Sequence, residues 1–540
     1  MKRALGACMC AFALTFLSTA AAWVSFKETA QEAGVSFLHD NGAKGERRLP
    51  ETLGSGCALF DYNRDGLLDI YLVNAGDFQG KGASNKLFKN QGAGSSKMFI
   101  DATEEAGVGG SSFGVGTAVG DYNGDGWEDL YVCNFRQNAL YKNNGDGTFT
   151  DAAQEAGVAD PRWSSAAVFF DMENDGDLDL FVVNYIDYQK ELDECALDQI
   201  RVYCGPERFL PLQDALYRNN GDGTFTDISD EAGIALAGRG LAAAAADYDN
   251  DGDADLFIAN DMNPDFLYQN QGDGTFEEIG FIAGTALTED AAMGNGMGVD
   301  LADFNNDGRL DLLVTNFQDQ VNALYRNDPD GFFTDVSFPS EIAVPSLPKL
   351  SWGCAFADFD NDGWKDIFIA NGHLHDNIAE WSESGEYAQP QLTFRNRGDG
   401  TFEDVSARSG DVSLPAVSRG AAFGDIDNDG DIDILVNNLH GRAALYRNDG
   451  GNLNGWIRVV LEPAHWAQGA RVQVTPEGGT AVMDEPVGDG SYGSHSDMRL
   501  LFGVGDARRA SVSVRWRDGQ TSAPVETSVN RSVVIRRPAE

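Results

Sequence analysis

Basic residues are scarce in this chain: 39 Lys and Arg stand against 85 Asp and Glu, for a formal net charge of −46 over 540 residues. Phosphate backbones are held by basic stripes, so nucleic acid is excluded as a partner. Long apolar runs are missing beyond the N-terminal segment, which leaves nothing later that spans a bilayer. No nucleophile elbow, P-loop, dinucleotide fingerprint or zinc-protease motif occurs, so no reaction class is announced. Cysteine is sparse as well, seven in all, and Cys8 and Cys10 fall in the N-terminal segment. What is plentiful is apolar residues, at 42%, and glycine, at 63 residues. That is enough apolar content for a packed core, and it argues against wholesale disorder.

Residues 1–22 have the pattern of an export signal: basic Lys2 and Arg3, apolar Ala4 to Leu17, then small residues Ala20 to Ala22. A membrane anchor is the alternative, but the apolar run is short for that. The expected compartment is secreted, extracellular or periplasmic, with no membrane span once the signal is removed. There, Cys195 and Cys204, which flank a polar insertion, are expected to form a disulfide. Cys57, Cys133 and Cys354 lie in apolar strand patterns and are expected to be buried free thiols.

A repeat organises the rest. The string Asp-x-[Asn/Asp/Glu]-x-Asp-Gly-x-x-Asp starts at Asp61, Asp121, Asp171, Asp247, Asp303, Asp358 and Asp425. Small and apolar residues precede each copy, as in Gly56 to Phe60 and Ala242 to Ala246. An apolar strand follows, ending at Asn74, Asn134, Asn184, Asn260, Asn316, Asn371 and Asn437. A third strand and an Asn-Gly-Asp-Gly-type hairpin turn lead to a fourth. Four strands per unit, with small residues on the first, predict the blades of a propeller. Phe26 to Val35 matches Phe149 to Val158, a fourth strand with its exit, and the seventh unit lacks one. The fold class is therefore all-β. The expected architecture is a seven-bladed β-propeller over 23–451, its last blade closed by the N-terminal strand, followed by a small C-terminal β domain over 452–540.

Each repeated loop clusters oxygen ligands. Positions 1, 3, 5 and 9 supply side chains, position 7 a backbone carbonyl, and the glycine at position 6 a sharp turn. The candidate ligands are Asp61, Asn63, Asp65, Leu67 and Asp69; Asp121, Asn123, Asp125, Trp127 and Asp129; Asp171, Glu173, Asp175, Asp177 and Asp179; Asp247, Asp249, Asp251, Asp253 and Asp255; Asp303, Asn305, Asp307, Arg309 and Asp311; Asp358, Asp360, Asp362, Trp364 and Asp366; and Asp425, Asp427, Asp429, Asp431 and Asp433. Oxygen-only ligation favours calcium, Ca2+, at up to seven sites. An EF-hand is excluded, because position 12 is aliphatic in every copy. An acidic surface turn would account for one copy, not for seven in phase. Glu173 is longer than its counterparts and is expected to distort its loop.

These loops resemble the FG-GAP/VCBS-type repeats of integrin α-subunit heads. Leu49 to Asp61 and Asn371-Gly-His-Leu-His375 are similar to the cartilage-acidic-protein family. Gly469 to Val472, Gly490 to Ser494, Leu501 to Gly505 and Val514 to Gly519 are similar to the ASPIC/UnbV domain that ends those proteins. The tail departs from that pattern at Glu462 to Gln468, which is shortened, and at His495, where glutamine is common. The resemblance implies extracellular calcium binding and no established reaction. The tail's own composition predicts strands over 457–461, 470–474, 511–516 and 532–535. Its arginines, among them Arg471, Arg515, Arg517 and Arg537, suit either docking on the acidic propeller rim or a solvated face.

Insertions at 35–53, 185–213 and 373–391 fall opposite the repeated loops, which directs the search for a ligand face there. The candidates are His373, His375, His440, Arg419, Arg239, Asp261, Trp163, Trp352 and Glu51. Two functions remain. One is an adhesion, interaction or scaffold module for an extracellular protein or glycan. The other is an enzyme at the axial mouth, a glycan lyase or hydrolase or a metal-dependent oxidoreductase, which requires His373, His375 and His440 to converge with Arg419.

Overall fold

The computed structural model describes residues 23–77, 83–92, 94–110, 112–288, 291–383 and 385–538. The leader expected over residues 1–22 lies outside them. The fold is all-β, with helical turns of only three or four residues between strands. No helix among the described residues is long and apolar enough to cross a membrane.

Seven antiparallel sheets follow one another along the chain, each with a meander of four strands, A to D. The A strands are Cys57–Phe60, Gly114–Gly120, Ser164–Phe170, Gly240–Ala246, Val299–Ala302, Ser351–Ala357 and Ser418–Gly424. Each repeated Asp motif forms the turn from A to B, so its ninth residue opens strand B, as Asp129 does in Asp129–Asn134. The seventh sheet takes its fourth strand from the start of the described chain: Ser25–Glu28 pairs antiparallel with Ala444–Asp449. In that sheet Asn438, not Asn437, occupies the position of the asparagines that end strand B elsewhere, since it pairs with Ser418 as Asn184 pairs with Ser164.

Strand alternation sends side chains to both faces of every sheet, and both faces are covered. Leu180 and Val182 pack into a core shared with the second sheet, whereas Phe181 and Val183 pack into one shared with the fourth. The seventh sheet likewise shares a core with the first, through Leu435, Ala422, Leu59 and Leu72. Polar links follow the same order. The last asparagine in the repeat portion of strand C donates its Nδ2 to a loop carbonyl of the preceding sheet at 2.7–2.9 Å: Asn143 to Tyr62, Asn219 to Tyr122, Asn270 to Met172, Asn327 to Tyr248, Asn396 to Phe304 and Asn448 to Phe359. Asn90 of the first sheet does this to Ile426 of the seventh.

The tail forms two further sheets. One contains Leu500–Gly505, Gly455–Glu462 and Arg531–Arg536; the other contains Val482–Asp484, Arg471–Pro476, Arg509–Arg515 and Val525–Ser528. Ile457, Val472, Phe502, Val512 and Trp516 build their common core. Between Asp484 and Leu500 the chain leaves this core and enters the repeat sheets. Asp489–Gly490 and Ser494–His495 form a short hairpin that adds to the first sheet, with His495 beside Ala58. The same segment bonds strand A of the second sheet through Thr117, of the third through Phe169, of the fifth through Val299, of the sixth through Cys354 and of the seventh through Phe423. It sits where the innermost strands converge. Small residues on those strands make the room: a Cβ at Gly116 would meet Gly493 Cα at 3.0 Å, and one at Gly420 would meet Ser494 Oγ at 2.6 Å.

Candidate metal loops and the opposite mouth

Six of the seven loops share one hydrogen-bond frame. The position-1 carboxylate accepts the position-5 amide at 2.9–3.2 Å and the position-6 glycine amide at 2.7–2.9 Å. The residue at position 4 is left-handed in all seven, which asparagine and glycine tolerate and which Arg64 adopts in the first. In four loops that asparagine donates to the position-6 carbonyl of the next loop: Asn174, Asn306, Asn361 and Asn428. The position-9 carboxylate accepts the amide of the strand C asparagine at 2.7–2.9 Å in every sheet.

Those position-9 groups are buried among other carboxylates. Burial, reinforced by neighbouring negative charge, raises Asp69, Asp129, Asp179 and Asp311 to about 8. It also raises Asp255, Asp366 and Asp433 well above the ordinary carboxylate range. Three clusters bring three carboxylate oxygens within 4.8 Å of one another: Asp247, Asp249 and Asp251; Asp358, Asp360 and Asp366; Asp425, Asp427 and Asp433. Buried oxygens of Asp247, Asn305, Asp360 and Asp431 have no hydrogen-bond partner. Such a donor set fits a hard cation with several oxygen ligands. Where position 3 is asparagine, its amide donates to the position-9 carboxylate, at 3.3 Å for Asn63 and 3.1 Å for Asn123 and Asn305. Glu173 is exposed, and its loop is not among the three tight clusters. The Asn-Gly-Asp-Gly turns differ: Asp146 and its counterparts accept hydrogen bonds from the threonine two residues on, as exposed hairpin turns do.

The fourth loop departs from the frame. Asp247 faces Arg515 at 2.9 Å and Arg471 at 3.7 Å, both from the tail. Arg517 pairs with Asp171 at 2.7 Å, Arg458 pairs with Asp425, and His465 lies 3.6 Å from Asp121. The tail therefore docks on the face that carries the acidic loops. Arg458 and Arg499, which also spans Asp497 and Gly66, carry contacts that sequence reading missed. Their signal is only a basic residue on an otherwise apolar strand edge.

On the opposite side, the three insertions pack against one another. Leu49 bonds Asp193, Tyr203 bonds Glu51, Asn377 bonds the Arg201 carbonyl, and Arg47 pairs with Asp376 at 2.7 Å. Under this cap most of the candidate face is buried. Arg419 is fully buried and donates to the carbonyls of Thr52, Gly372, Ser418 and His373. Its guanidinium lies 3.9 Å over the Trp352 ring, and burial lowers it to about 10. Tyr492, from the tip of the tail hairpin, meets Trp352 edge-on with ring centroids 4.9 Å apart. Asp261 accepts the Tyr185 hydroxyl at 2.7 Å and is raised to about 6 by burial. Arg239 bonds Asn263 and the Phe209 carbonyl. Trp163 packs against Phe135 and Tyr185.

Arg419 gives its guanidinium hydrogen bonds to backbone carbonyls and none to a histidine ring. The His373 and His375 rings lie 5.5 Å apart, lowered to about 3 and about 4 chiefly by burial. His440 is exposed and donates its backbone amide to His39 instead. Cys195 and Cys204 are joined, with Cα atoms 5.3 Å apart, and Cys57, Cys133 and Cys354 are buried free thiols.

Comparison with known proteins agrees with the repeat. The FG-GAP-like repeat family matches residues 61–132, 121–182, 211–258, 247–314, 303–369 and 384–436. The ASPIC and UnbV family matches residues 462–540. Cartilage acidic protein 1 of Homo sapiens is 28% identical over 58% of this chain and 47% of its own length. That of Xenopus tropicalis is 28% identical over 62% of this chain and 51% of its own length. The chain thus spans about half the length of the curated relatives it matches. Among solved structures, YCF48 bound to D1 peptide aligns with a TM-score of 0.41 at 10% identity, over 74% of this chain and 93% of that one. An Agrocybe aegerita lectin that recognises non-reducing terminal N-acetylglucosamine aligns with a TM-score of 0.39 at 18% identity, over 66% of this chain and 82% of that one. By its repeats and its tail, the chain belongs to the cartilage-acidic-protein-like family of FG-GAP-like repeat proteins with an ASPIC and UnbV region.

Proposed function

We propose that this protein is a secreted, calcium-stabilised interaction module built on a closed seven-bladed β-propeller. In this reading, residues 1–22 are an export signal, 23–451 the propeller and 452–540 a C-terminal β domain. Closure is supported by the Asn90 to Ile426 bond and by the core shared between the first and seventh sheets. One observation carries the calcium reading: seven buried position-9 carboxylates, each grouped with further oxygens of its own loop. A bound Ca2+ would supply the positive charge that offsets their mutual repulsion and burial. The loop residues named from the sequence are the ligand sets, up to seven sites.

An interaction role follows from rigidity and from exposed loops. The curated relatives are named for cartilage, and the Cys195–Cys204 bridge suits an oxidising compartment. The partner class is an extracellular protein or glycan. Neither matched family description names a reaction, and the geometry at Arg419 and the three histidines gives the enzyme reading no support.

Elemental analysis of the purified protein, paired with melting in calcium and in EDTA, tests the metal. Several calcium ions per chain are expected, with a sharp fall in melting temperature on chelation. Each site filled at about a hundredfold excess over its Kd contributes about 2.7 kcal/mol. Asp433→Ala should remove one ion and leave the others. A calcium-free sample that melts identically in both buffers would falsify the reading.

A further inference from the structure

A cleft of about 470 Å³ opens on the face away from the acidic loops, between the first insertion, the second and third sheets and the disulfide-bonded insertion. That size lies within the range of small-ligand sites. Trp163 forms its floor, 3% exposed, with a buried Nε1 that has no hydrogen-bond partner. The half-buried rings of Phe135 and Tyr188 stand edge-on to Trp163 at 4.9 and 5.9 Å and fix one another's orientation.

The rim is basic on a molecule of net charge −46. Arg48, Arg136, Arg162 and Lys190 line it, against Glu46 and Asp187. Arg48 and Arg162 are held in place by the Asp193 carbonyl and the Asp160 carboxylate. Arg136 and Lys190 are exposed, and no ion pair among the described residues uses either one. The cleft thus offers ordered aromatic rings, the Trp163 N–H in its floor and two exposed cations outside any ion pair, Arg136 lying 6.0 Å over the Phe135 ring.

We propose that this cleft binds an acidic oligosaccharide, one carrying uronate or sulfate groups. This rests on the interaction-module reading above and adds the site and the ligand class. Sugar rings present apolar C–H faces to aromatic rings, and their carboxylates or sulfates accept bonds from guanidinium and ammonium groups. A peptide main chain fits less well, because it brings as many N–H donors as acceptors to a wall made mostly of donors.

The test is calorimetric titration of the full chain with four probes: a sulfated uronate-containing tetrasaccharide, its desulfated counterpart, a neutral tetrasaccharide and an acidic hexapeptide. Both acidic tetrasaccharides should bind, less tightly at high salt, and the neutral one should not. Arg136→Ser with Lys190→Ser should weaken binding about tenfold with melting temperature unchanged, since both residues are exposed. Trp163→Phe, which keeps the ring and deletes the donor, should weaken it about fivefold. Failure of both acidic sugars to bind, indifference to the double substitution, or tighter binding of the peptide overturns the proposal. Calcium content measured on the same samples separates the two readings: full calcium without sugar binding removes the cleft's ligand and leaves the metal.

Discussion

A single asparagine at the end of strand C joins two sheets. Asn327 donates from one amide nitrogen to Leu310 in its own sheet and to Tyr248 in the one before, and it is buried. Asn327→Ala leaves both carbonyls unpaired and should cost about 2–3 kcal/mol, read as a lower urea midpoint. The strand pattern Ala-Leu-Tyr-x-Asn was legible in the sequence. The reach of its last residue was not, because a side chain's partner in another repeat leaves no trace in local spacing. Buried histidines make their own contribution to the pH response. Burial lowers His39 and His373 to about 3 and His375 to about 4. A depressed histidine loses stability as pH falls, because the unfolded chain takes up its proton first. The histidine contribution should hold above the ordinary value of 6.5 and decline from there towards 4, by about 2 kcal/mol at pH 5 for a fully buried histidine. Buried carboxylates raised by burial, Asp261 among them, act in the opposite sense, so the comparison is between the wild type and His39→Asn. Urea titrations at the two pH values check this, and His39→Asn should flatten the slope.

Among the elements, the acidic turns were the most legible, since seven copies in phase state both their geometry and their chemistry. Their divergence was less so. That Asp247 would meet Arg471 and Arg515 depends on how a separate part of the chain docks. The cap was half legible: its three insertions were visible as insertions, but their mutual packing, which buries Arg419 and His373, was not. The insertions expected to carry a ligand face there roof the mouth instead. The bridge between Cys195 and Cys204 ties the middle insertion, in which Cys204 packs near Tyr185 and Phe209. Reduction should cost the cap about 2–3 kcal/mol of local stability. Protease cutting within residues 185–213 should then quicken while calcium content stays constant, and mass spectrometry of timed digests would show it.

For the whole molecule, the sheets were foreseen and the path of the tail was not. Its arginines left docking and solvation equally open, and the structure puts Arg471, Arg515 and Arg517 on the acidic loops. The hairpin at 489–495 had one sequence signal, glycines at 488, 490 and 493 matching small residues on the innermost strands. Those small residues suit crowding of sheet against sheet as well, so the signal was ambiguous. Tyr492 is 1% exposed against Trp352 and secures the hairpin's far end. Tyr492→Ala should cost about 3–5 kcal/mol in calcium buffer, seen as a melting shift of the entire molecule rather than of the tail alone.

The hairpin carries the tail in among the innermost strands, and Ser25–Glu28 ties the start of the described chain to the last repeat sheet. Late-synthesised residues thus fill the place where the A strands meet, so a nascent chain ending near residue 451 has the repeat strands without the hairpin that bonds them. Assembly must therefore finish after translation has passed the hairpin, whose one end adds to the first sheet and whose tip packs on Trp352.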